Sequence, residues 1–248
     1  MSFAAKKLII LETVDSTNNY AMGMIQNGSA KSGYAVFAKK QTAGRGRRGK
    51  TWKSAASKNI MLSIIAEMQW LPIRQQFQLS MGVALGCLDF FSNYLKENIK
   101  IKWPNDIFVN DRKAGGVLIE NIIKGNLWQW AVIGIGININ QENFEQEKFC
   151  AISLKEITGK DYDVIELSEK LHLCILKRIE GLSYSKTTDL LHEYNENLFC
   201  RNELVKLKKG NIIFETIIKE VSASGELITS DVIERSFELD EIQWVGKP

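Results

Sequence analysis

Residues 43–50 have the sequence AGRGRRGK, in which three glycines are interspersed with four basic side chains. Glycine lets a backbone fold closely round a ligand and present its N–H groups. The arginine fork matches phosphate or carboxylate oxygens. The spacing is not that of GxxxxGK[ST], so no Walker-type loop is predicted. The segment indicates a site for an anion, while a solvated basic loop and a nucleic-acid patch stay open as alternatives.

Positive charge is concentrated around this segment. Residues 39–58 contain eight basic side chains and no acidic one, although the net charge of the whole chain is only +3. Such a concentration indicates an anionic partner at one place. Only Phe37 and Trp52 supply aromatic rings nearby, too few for the stacking platform that single-stranded nucleic acid needs.

Three further segments combine residue types that bind acyl or phosphoryl groups. Residues 102–106 are KWPND, residues 111–116 are DRKAGG and residues 134–138 are GIGIN. Taken singly, each is typical of a strand end, a hairpin turn or a twisted core strand. Taken together, they place Lys113 at the edge of a glycine-bearing strand, where an ammonium group can approach an acyl or phosphoryl oxygen. Asn138 is placed where an amide can contact a purine edge.

These segments need a framework of strands and helices to position them. Apolar spacing and turn signals predict strands over residues 6–12, 33–40, 59–68, 99–103, 107–109, 113–124 and 127–140. Helices are predicted after the N-cap types at 15–18, over 74–97, and around 154–158, 164–180 and 187–198. Short turns between residues 99 and 140 predict antiparallel pairing there.

The texture of the sequence changes near residue 200. Short strand-like runs follow at 204–207, 211–221, 226–229 and 237–245, separated by turn residues. This pattern predicts a small β-barrel appended to the main part of the chain. Residues 1–200 and 201–248 are therefore predicted as two domains.

The composition excludes several other classes of protein. With 45% hydrophobic and 25% charged residues, the chain is neither disordered nor of low complexity. No run of 18 apolar residues occurs, so no membrane-spanning helix is predicted. Cys87, Cys150, Cys174 and Cys200 form no CxxC pair, which favours reduced thiols in a cytoplasmic protein over a structural zinc site.

Four motifs in this order resemble the biotin protein ligase family. They are DSTNNYA, QTAGRGRRGKTW, KWPNDIFVNDRKAGGVLIE and GIGINI, and the likeness is dense over residues 8–140 and loose over the barrel. The resemblance implies an α+β fold with a mixed, largely antiparallel central sheet flanked by helices, similar to the class II synthetase-like ligase core. A small SH3-like barrel is implied at the C-terminal end.

The resemblance also implies an activity. Biotin and ATP would give biotinyl-5′-AMP and pyrophosphate, with Mg²⁺ accompanying the ATP, and biotin would pass to a lysine of a biotin carboxyl carrier protein. Two-function members carry an N-terminal winged helix. Here the first catalytic strand is predicted near Lys6, so no sequence-specific DNA binding is expected, and the chain is expected as a monomer or homodimer. A lipoate ligase is an alternative, against which GRGRRG and KWPND argue.

Site residues follow from the same resemblance, position by position. The residues implied for biotin are Ser16, Thr17, Asn18, Gln41, Arg45, Gly46, Arg47 and Lys113. Those implied for ATP are Arg47, Arg48, Trp52, Lys102 and Asn138, with Trp52 and Asn138 at the adenine. Lys113, Arg47 and Asp106 are the implied catalytic residues, Asp106 orienting or deprotonating the incoming lysine. The metal ligands stay unassigned.

The reaction that the resemblance implies accounts for this combination of basic, polar and glycine residues. A carboxylate that attacks a phosphate brings two anions together, so the site has to be cationic. The mixed anhydride that forms hydrolyses in water, so a lid has to cover it. We therefore expect loop 43–53 to be mobile when empty and ordered by the ligand.

Overall fold

The computed structural model of the chain describes Phe3 and residues 6–96, 98–144 and 151–246. Cys150 lies outside the described residues, and Cys87 and Cys174 are free thiols. Burial raises the pKa of the Cys87 thiol, so this group stays protonated in the core. None of the described helices is long and apolar enough to cross a membrane.

The larger sheet has seven strands. Their bounds are Leu8–Val14 (β1), Ala35–Gln41 (β2), Ile60–Glu67 (β3), Ile99–Lys102 (β4), Asp106–Val109 (β5), Arg112–Lys124 (β6) and Leu127–Ile137 (β7). They lie in the order β1-β2-β3-β7-β6-β5-β4. The β1–β2 pair is parallel because a helix crosses between these strands, and the other described pairs of this sheet are antiparallel. The predicted mixed, largely antiparallel sheet is confirmed.

Helices cover both faces of this sheet. Their bounds are Thr17–Gln26 (α1), Gln76–Ser92 (α2), Leu154–Thr158 (α3), Val164–Gly181 (α4) and Thr187–Glu196 (α5). Successive side chains of a strand point to opposite faces. Ile65 and Val132 therefore pack with Ala21 of α1 in one cluster, while their neighbours Ile64 and Ile133 join the larger core with α2 and α4.

The helices of the larger core are tied together by charge. Arg178 of α4 donates to Asp89 of α2 at 2.6 Å and to Glu193 of α5 at 2.8 Å. These hydrogen bonds raise the pKa of the guanidinium. Helix α2 ends at Ser92, earlier than the predicted residue 97. Beyond its end, the side-chain Nδ2 of Asn93 donates to the backbone carbonyl of Asp89 at 2.8 Å.

A second, five-stranded sheet is formed by the C-terminal part of the chain. Its strands are Leu204–Lys209 (β8), Ile212–Val221 (β9), Leu227–Ser230 (β10), Glu234–Phe237 (β11) and Gln243–Gly246 (β12). They lie in the order β11-β10-β9-β8-β12, and all four neighbouring pairs are antiparallel. This arrangement is consistent with the predicted SH3-like barrel, while the boundary near residue 200 stays a prediction.

The prediction of one strand-like run over 237–245 is wrong. Strand β11 ends at Phe237 and β12 begins at Gln243. Between them Glu241 N donates to Glu238 O at 3.2 Å, and Glu238 N donates to the Glu241 carboxylate at 3.1 Å. Asp240 has a φ of +74°, which no strand residue adopts. These bonds make a tight turn where the sequence pattern indicated continuity.

Two tryptophans join the barrel to the rest of the molecule. Trp103 Nε1 donates to Gly225 O at 3.0 Å, and Trp244 Nε1 donates to Trp103 O at 3.1 Å. Gly225 has a φ of +95°, and a Cβ on it would lie 2.7 Å from the ring of Phe77, so this close contact requires glycine. The junction holds the barrel beside the KWPND segment.

Candidate active site

A cleft of about 1020 Å³ lies on the α1 face of the larger sheet and extends to the barrel. The register of the strands explains its floor. Ser63 is opposite Gly134, and Gly116 is opposite Gly136, so these residues share the face of Ile65. The glycines leave space that side chains would otherwise fill.

The start of α1 supplies an uncharged polar wall. Ser16, Thr17 and Asn18 are buried there, and Ser16 occupies the N-cap position without a side-chain capping bond. Thr17 donates to Gln41 Oε1 from its backbone N at 2.7 Å and from its hydroxyl at 3.1 Å. These bonds fix the orientation of the Gln41 amide, because Oε1 accepts both protons.

Ser63 belongs to this wall and was missed by the sequence analysis. Its hydroxyl is buried, 2.7 Å from Thr17 Oγ1 and 2.5 Å from Asn18 Oδ1. The signal was present, since Ser63 is the one polar residue in the apolar run IMLSIIA over 60–66. A lone serine in a buried strand was not distinguished from an ordinary core residue.

Glu120 connects the polar wall to the basic loop. Asn18 Nδ2 donates to Glu120 Oε2 at 2.8 Å, and Arg45 lies 2.8 Å from Glu120 Oε1 and 3.2 Å from Oε2. One carboxylate therefore accepts from a pocket residue and a loop arginine at once. Glu120 is the last residue of the motif KWPNDIFVNDRKAGGVLIE, yet no role was predicted for it.

The loop begins against α1. Ala43 N donates to Asp15 O at 2.8 Å, and Asn19 Nδ2 donates to the Asp15 carboxylate at 2.5 Å. The bond from Asn19 lowers the pKa of Asp15. Asn19 Oδ1 accepts in turn from Arg45 at 2.9 Å, so the helix and the loop are joined at two places.

The loop itself folds back as a short hairpin-like turn. Trp52 N donates to Gly44 O at 3.0 Å and Gly46 N donates to Lys50 O at 2.7 Å. A Cβ on Gly44 would collide with the Trp52 carbonyl, so glycine is needed for this closure. The tip is the 3-10 turn Arg47–Gly49.

The tip of the loop reaches the barrel. Arg47 Nη2 lies 2.9 Å and Arg48 Nε lies 2.6 Å from the same atom, Oδ1 of Asp240. Asp240 lines the cleft and was not foreseen from the sequence. All three arginines of the loop are thus paired with carboxylates, Arg45 with Glu120 and the other two with Asp240.

Lys113 and Asp106 form an ion pair at the cleft floor. They lie on the paired strands β6 and β5, and Lys113 Nζ is 2.8 Å from Asp106 Oδ1. The ammonium also lies 5.5 Å from the centre of the Trp52 ring. A Cβ on Gly136 would collide with that ring, so the glycine in GIGIN lets the indole pack onto the sheet.

Two predicted ATP residues have defined surroundings. Asn138 Nδ2 donates to Lys113 O at 3.3 Å and to Ile152 O at 3.2 Å, so its amide braces the strand that carries Lys113. Lys102 Nζ lies over the rings of Phe108 at 4.6 Å and Trp244 at 5.0 Å, at the junction with the barrel.

The cleft brings together every residue that the sequence singled out. Its lining includes Ser16, Thr17, Asn18, Gln41, Arg45, Gly46, Arg47, Arg48, Trp52, Lys102, Asp106, Lys113 and Asn138. The role of each residue stays a prediction. The arrangement is an uncharged polar wall next to a set of cations, which suits a ligand with a neutral polar end and an anionic end.

Comparison with known proteins identifies the family. The model of the Biotin/lipoate A/B protein ligase family matches residues 10–138, more than half of the chain. The chain belongs to this family. The predicted resemblance is therefore confirmed at the level of the family.

Curated relatives carry ligase names. The bifunctional ligase/repressor BirA of Bacillus subtilis is 33% identical over 174 residues, which are 69% of this chain and 53% of that protein. The biotin–[acetyl-CoA-carboxylase] ligase of Mycobacterium tuberculosis is 29% identical over 139 residues, 55% of this chain and 50% of that protein. The chain spans about half the length of the curated relatives it matches.

Solved structures of the family share the fold. The biotin protein ligase from Aquifex aeolicus in complex with biotin and ATP has a TM-score of 0.80 at 26% identity, over 96% of this chain and 98% of that chain. The ligase from Leishmania major in complex with biotinyl-5-AMP has a TM-score of 0.68 at 23% identity, over 95% of this chain and 100% of that chain. These likenesses confirm the predicted α+β fold with its second C-terminal sheet.

Proposed function

We propose that this chain activates biotin with ATP to biotinyl-5′-AMP, and transfers biotin to a lysine of a biotin carboxyl carrier protein. The observation that carries the proposal is the cleft itself, in which an uncharged polar wall adjoins the cations of Lys113 and the loop. The family of the chain supports it, as do the biotin and ATP named for the Aquifex aeolicus structure.

The polar wall is proposed to hold the ureido ring of biotin. This ring is neutral and needs short donors and acceptors rather than charges. Gln41 Oε1 already accepts from Thr17, so Gln41 Nε2 is the atom available to donate to the ureido oxygen. Ser16, whose hydroxyl makes no capping bond, supplies a second contact. Asn18 is held by Ser63 and Glu120 and shapes the wall.

The cations are proposed to serve adenylation. An oxygen of the biotin carboxylate bonds to the α-phosphorus of ATP as the bond from that phosphorus to the pyrophosphate oxygen breaks. Negative charge builds up on the α-phosphate, and Lys113 and Arg47 stabilise it. Arg45 and Gly46 close over the ligand, and Arg48 and Lys102 contact the departing phosphates. The three loop arginines have to exchange their protein carboxylates for substrate oxygens.

The adenine is proposed to lie between Trp52 and Asn138. The indole offers a flat apolar face, and its Nε1 is buried without a hydrogen-bond partner among the described residues. Both donors of the Asn138 amide are taken by backbone carbonyls, so its Oδ1 is the atom that accepts from the adenine amino group.

Asp106 is proposed to receive the acceptor lysine. Its Oδ1 holds Lys113 at 2.8 Å, which leaves Oδ2 to orient the incoming amine. The ammonium gives one proton to the Asp106 carboxylate, and the free amine attacks the acyl carbon of biotinyl-5′-AMP and loses its second proton to water. An amide bond forms, the acyl–oxygen bond breaks, and AMP departs with the electron pair of that bond.

Several further proposals complete the account. Mg²⁺ enters with ATP, because this ion usually takes most of its ligands from phosphates and water. The described residues contain no cluster of three or more His, Cys, Asp or Glu side chains that would hold it alone. Three further statements stay predictions: the chain binds no specific DNA sequence, it is located in the cytoplasm, and it is a monomer or a homodimer.

Isotope exchange tests the proposed function. With labelled pyrophosphate, ATP and biotin, we expect label to enter ATP, since adenylation is reversible in the closed cleft. Lipoate in place of biotin is expected to support no exchange, because a dithiolane cannot use the donors of the polar wall. Exchange with lipoate alone would assign the other activity of the family, and exchange with neither compound would reject an adenylating site.

Replacing Glu120 tests the coupling between the polar wall and the loop. Glu120→Gln keeps the size of the side chain but leaves a single acceptor oxygen for Asn18 and Arg45. We expect the Kd of biotin, measured by calorimetry, to rise about five- to tenfold, the effect of losing one hydrogen bond worth about 1 kcal/mol. Glu12→Gln, which breaks the exposed pair with Lys39, is the matched control. An unchanged Kd in Glu120→Gln would contradict the coupling.

A further inference from the structure

We propose that Asp240 of the barrel is a positioning residue for the lid, by which we mean loop residues 43–53. Its carboxylate holds Arg47 and Arg48 over the cleft while no anion is bound, and yields them to the phosphates of the nucleotide. The inference rests on the proposed function, because it takes the competing anion to be ATP. It assigns a role to the barrel in the affinity of the site for its nucleotide.

The contact geometry is that of an anion site occupied by a side chain. Arg47 Nη2 and Arg48 Nε lie 2.9 Å and 2.6 Å from one carboxylate oxygen of Asp240. Two guanidinium groups so close together repel each other unless an anion lies between them. The contact spans 193 residues of sequence for Arg47 and joins the tip of the lid to the barrel. Asp240 therefore offsets one of the two positive charges that are proposed to meet phosphate.

The backbone holds Asp240 in place at some cost. Its φ of +74° lies in the left-handed region, which residues other than glycine adopt rarely, although aspartate and asparagine tolerate it best. The turn is closed by the two bonds between Glu238 and Glu241, and Glu241 is paired in addition with Lys209 of β8. A strained position that its surroundings enforce is characteristic of functional sites.

ATP carries more negative charge than Asp240, and this difference allows ATP to take the place of Asp240 at the two arginines. The Asp240 side chain is 51% exposed and carries one negative charge, so its pairs with the arginines are weak. A triphosphate offers more charge and more acceptor oxygens to the same two forks. ATP therefore displaces the carboxylate, but its apparent affinity is lowered by the competition. In this proposal the pairs with Asp240 restrain the empty lid, which is then less mobile than its glycine-rich sequence predicts.

The test replaces Asp240 without disturbing its backbone. Asp240→Asn removes the charge and keeps a residue that tolerates positive φ. Glu215→Gln is the matched control, because Glu215 is a barrel carboxylate in a loose 3.6 Å pair with Lys206 and does not line the cleft. Binding of MgATP and of inorganic pyrophosphate is measured by calorimetry with the full chain. Trypsin, which cuts after arginine and lysine, reports on the lid.

Two changes are expected in Asp240→Asn. The Kd of MgATP and of pyrophosphate falls about two- to fivefold, and the difference shrinks at high salt. Trypsin cuts the empty lid faster than in the wild type, while the cleavage rates become equal once MgATP is bound. The control behaves as the wild type does in both assays.

Other outcomes overturn the inference. An unchanged or raised Kd in Asp240→Asn, with an unchanged melting temperature, would show that the carboxylate does not compete with phosphate. A lowered melting temperature with faster cleavage throughout the chain, and no gain in affinity, would make Asp240 a structural residue only. If the wild type binds neither MgATP nor pyrophosphate, the proposed function fails first, and that result is separate from any difference between the variants.

Discussion

Lys113→Ala is expected to slow the formation of biotinyl-5′-AMP by about 10²–10³, the usual effect of removing one preorganised donor from a developing anion. Lys113 is the ammonium on the cleft floor, held 2.8 Å from Asp106 and above the Trp52 ring. The charge of the lysine matters most when carboxylate and phosphate approach each other. We propose that the neutral ureido end of biotin binds elsewhere, at the wall that Thr17 and Gln41 help to form.

The rate of adenylation and the affinity for biotin are therefore expected to respond differently to Lys113→Ala. Pyrophosphate release in a single turnover is expected to fall, while the Kd of biotin stays within about threefold of the wild-type value. Lys170→Ala is the matched control, since Lys170 lies on α4 in an exposed pair with Glu166. Pyrophosphate release within about threefold of the wild type would remove Lys113 from the chemistry.

Arg47→Gly is expected to leave adenylation possible and to release the intermediate. Arg47 belongs to the turn at the tip of the lid and not to the strands that carry Lys113 and Asp106. Without its fork the lid is expected to lose its grip on the phosphate of biotinyl-5′-AMP. The dissociation rate of the intermediate is expected to rise about 10- to 100-fold, as for the loss of charge-assisted hydrogen bonds.

Escape of the intermediate has a second consequence. Free biotinyl-5′-AMP acylates exposed lysines, so proteins other than the natural carrier become biotinylated in a mixture with the variant. Arg47→Lys keeps the charge but loses the planar fork. We expect it to release biotinyl-5′-AMP at a rate between those of the wild type and Arg47→Gly. An unchanged dissociation rate in Arg47→Gly, together with biotinylation confined to the carrier, would reject the role of the lid.

Local patterns predicted most of the framework. The apolar runs of β3 and β7 and the helical spacing in α2 are properties of short stretches of sequence, and the structure has these elements near the predicted bounds. The run over 237–245 was predicted wrongly because its turn depends on hydrogen bonds of Glu238 and Glu241, which leave no periodic trace. The packing of the barrel against Trp103 is also invisible to local patterns.

The residues of the site also divide into those that local sequence patterns predicted and those that they did not. Residues of the glycine-rich loop and of DRKAGG carried recognisable chemistry, and the cleft brings them together. Ser63, Glu120 and Asp240 were missed, since each acts through a partner distant in sequence. The partner of Glu120 in the polar wall is Asn18, 102 positions away. A carboxylate that pairs with a lid arginine looks, in the sequence, like any surface acid.

A single-turnover experiment without carrier protein tests the central claim most directly. The protein is mixed with biotin and MgATP, separated from free ligand, and the bound compound is identified by mass spectrometry while pyrophosphate is counted. The account predicts one bound biotinyl-5′-AMP for each pyrophosphate released, and loss of the bound compound when a biotin carboxyl carrier domain is added. ATP cleavage without a bound biotinyl adenylate, or accumulation of a lipoyl adenylate in its place, would contradict the account.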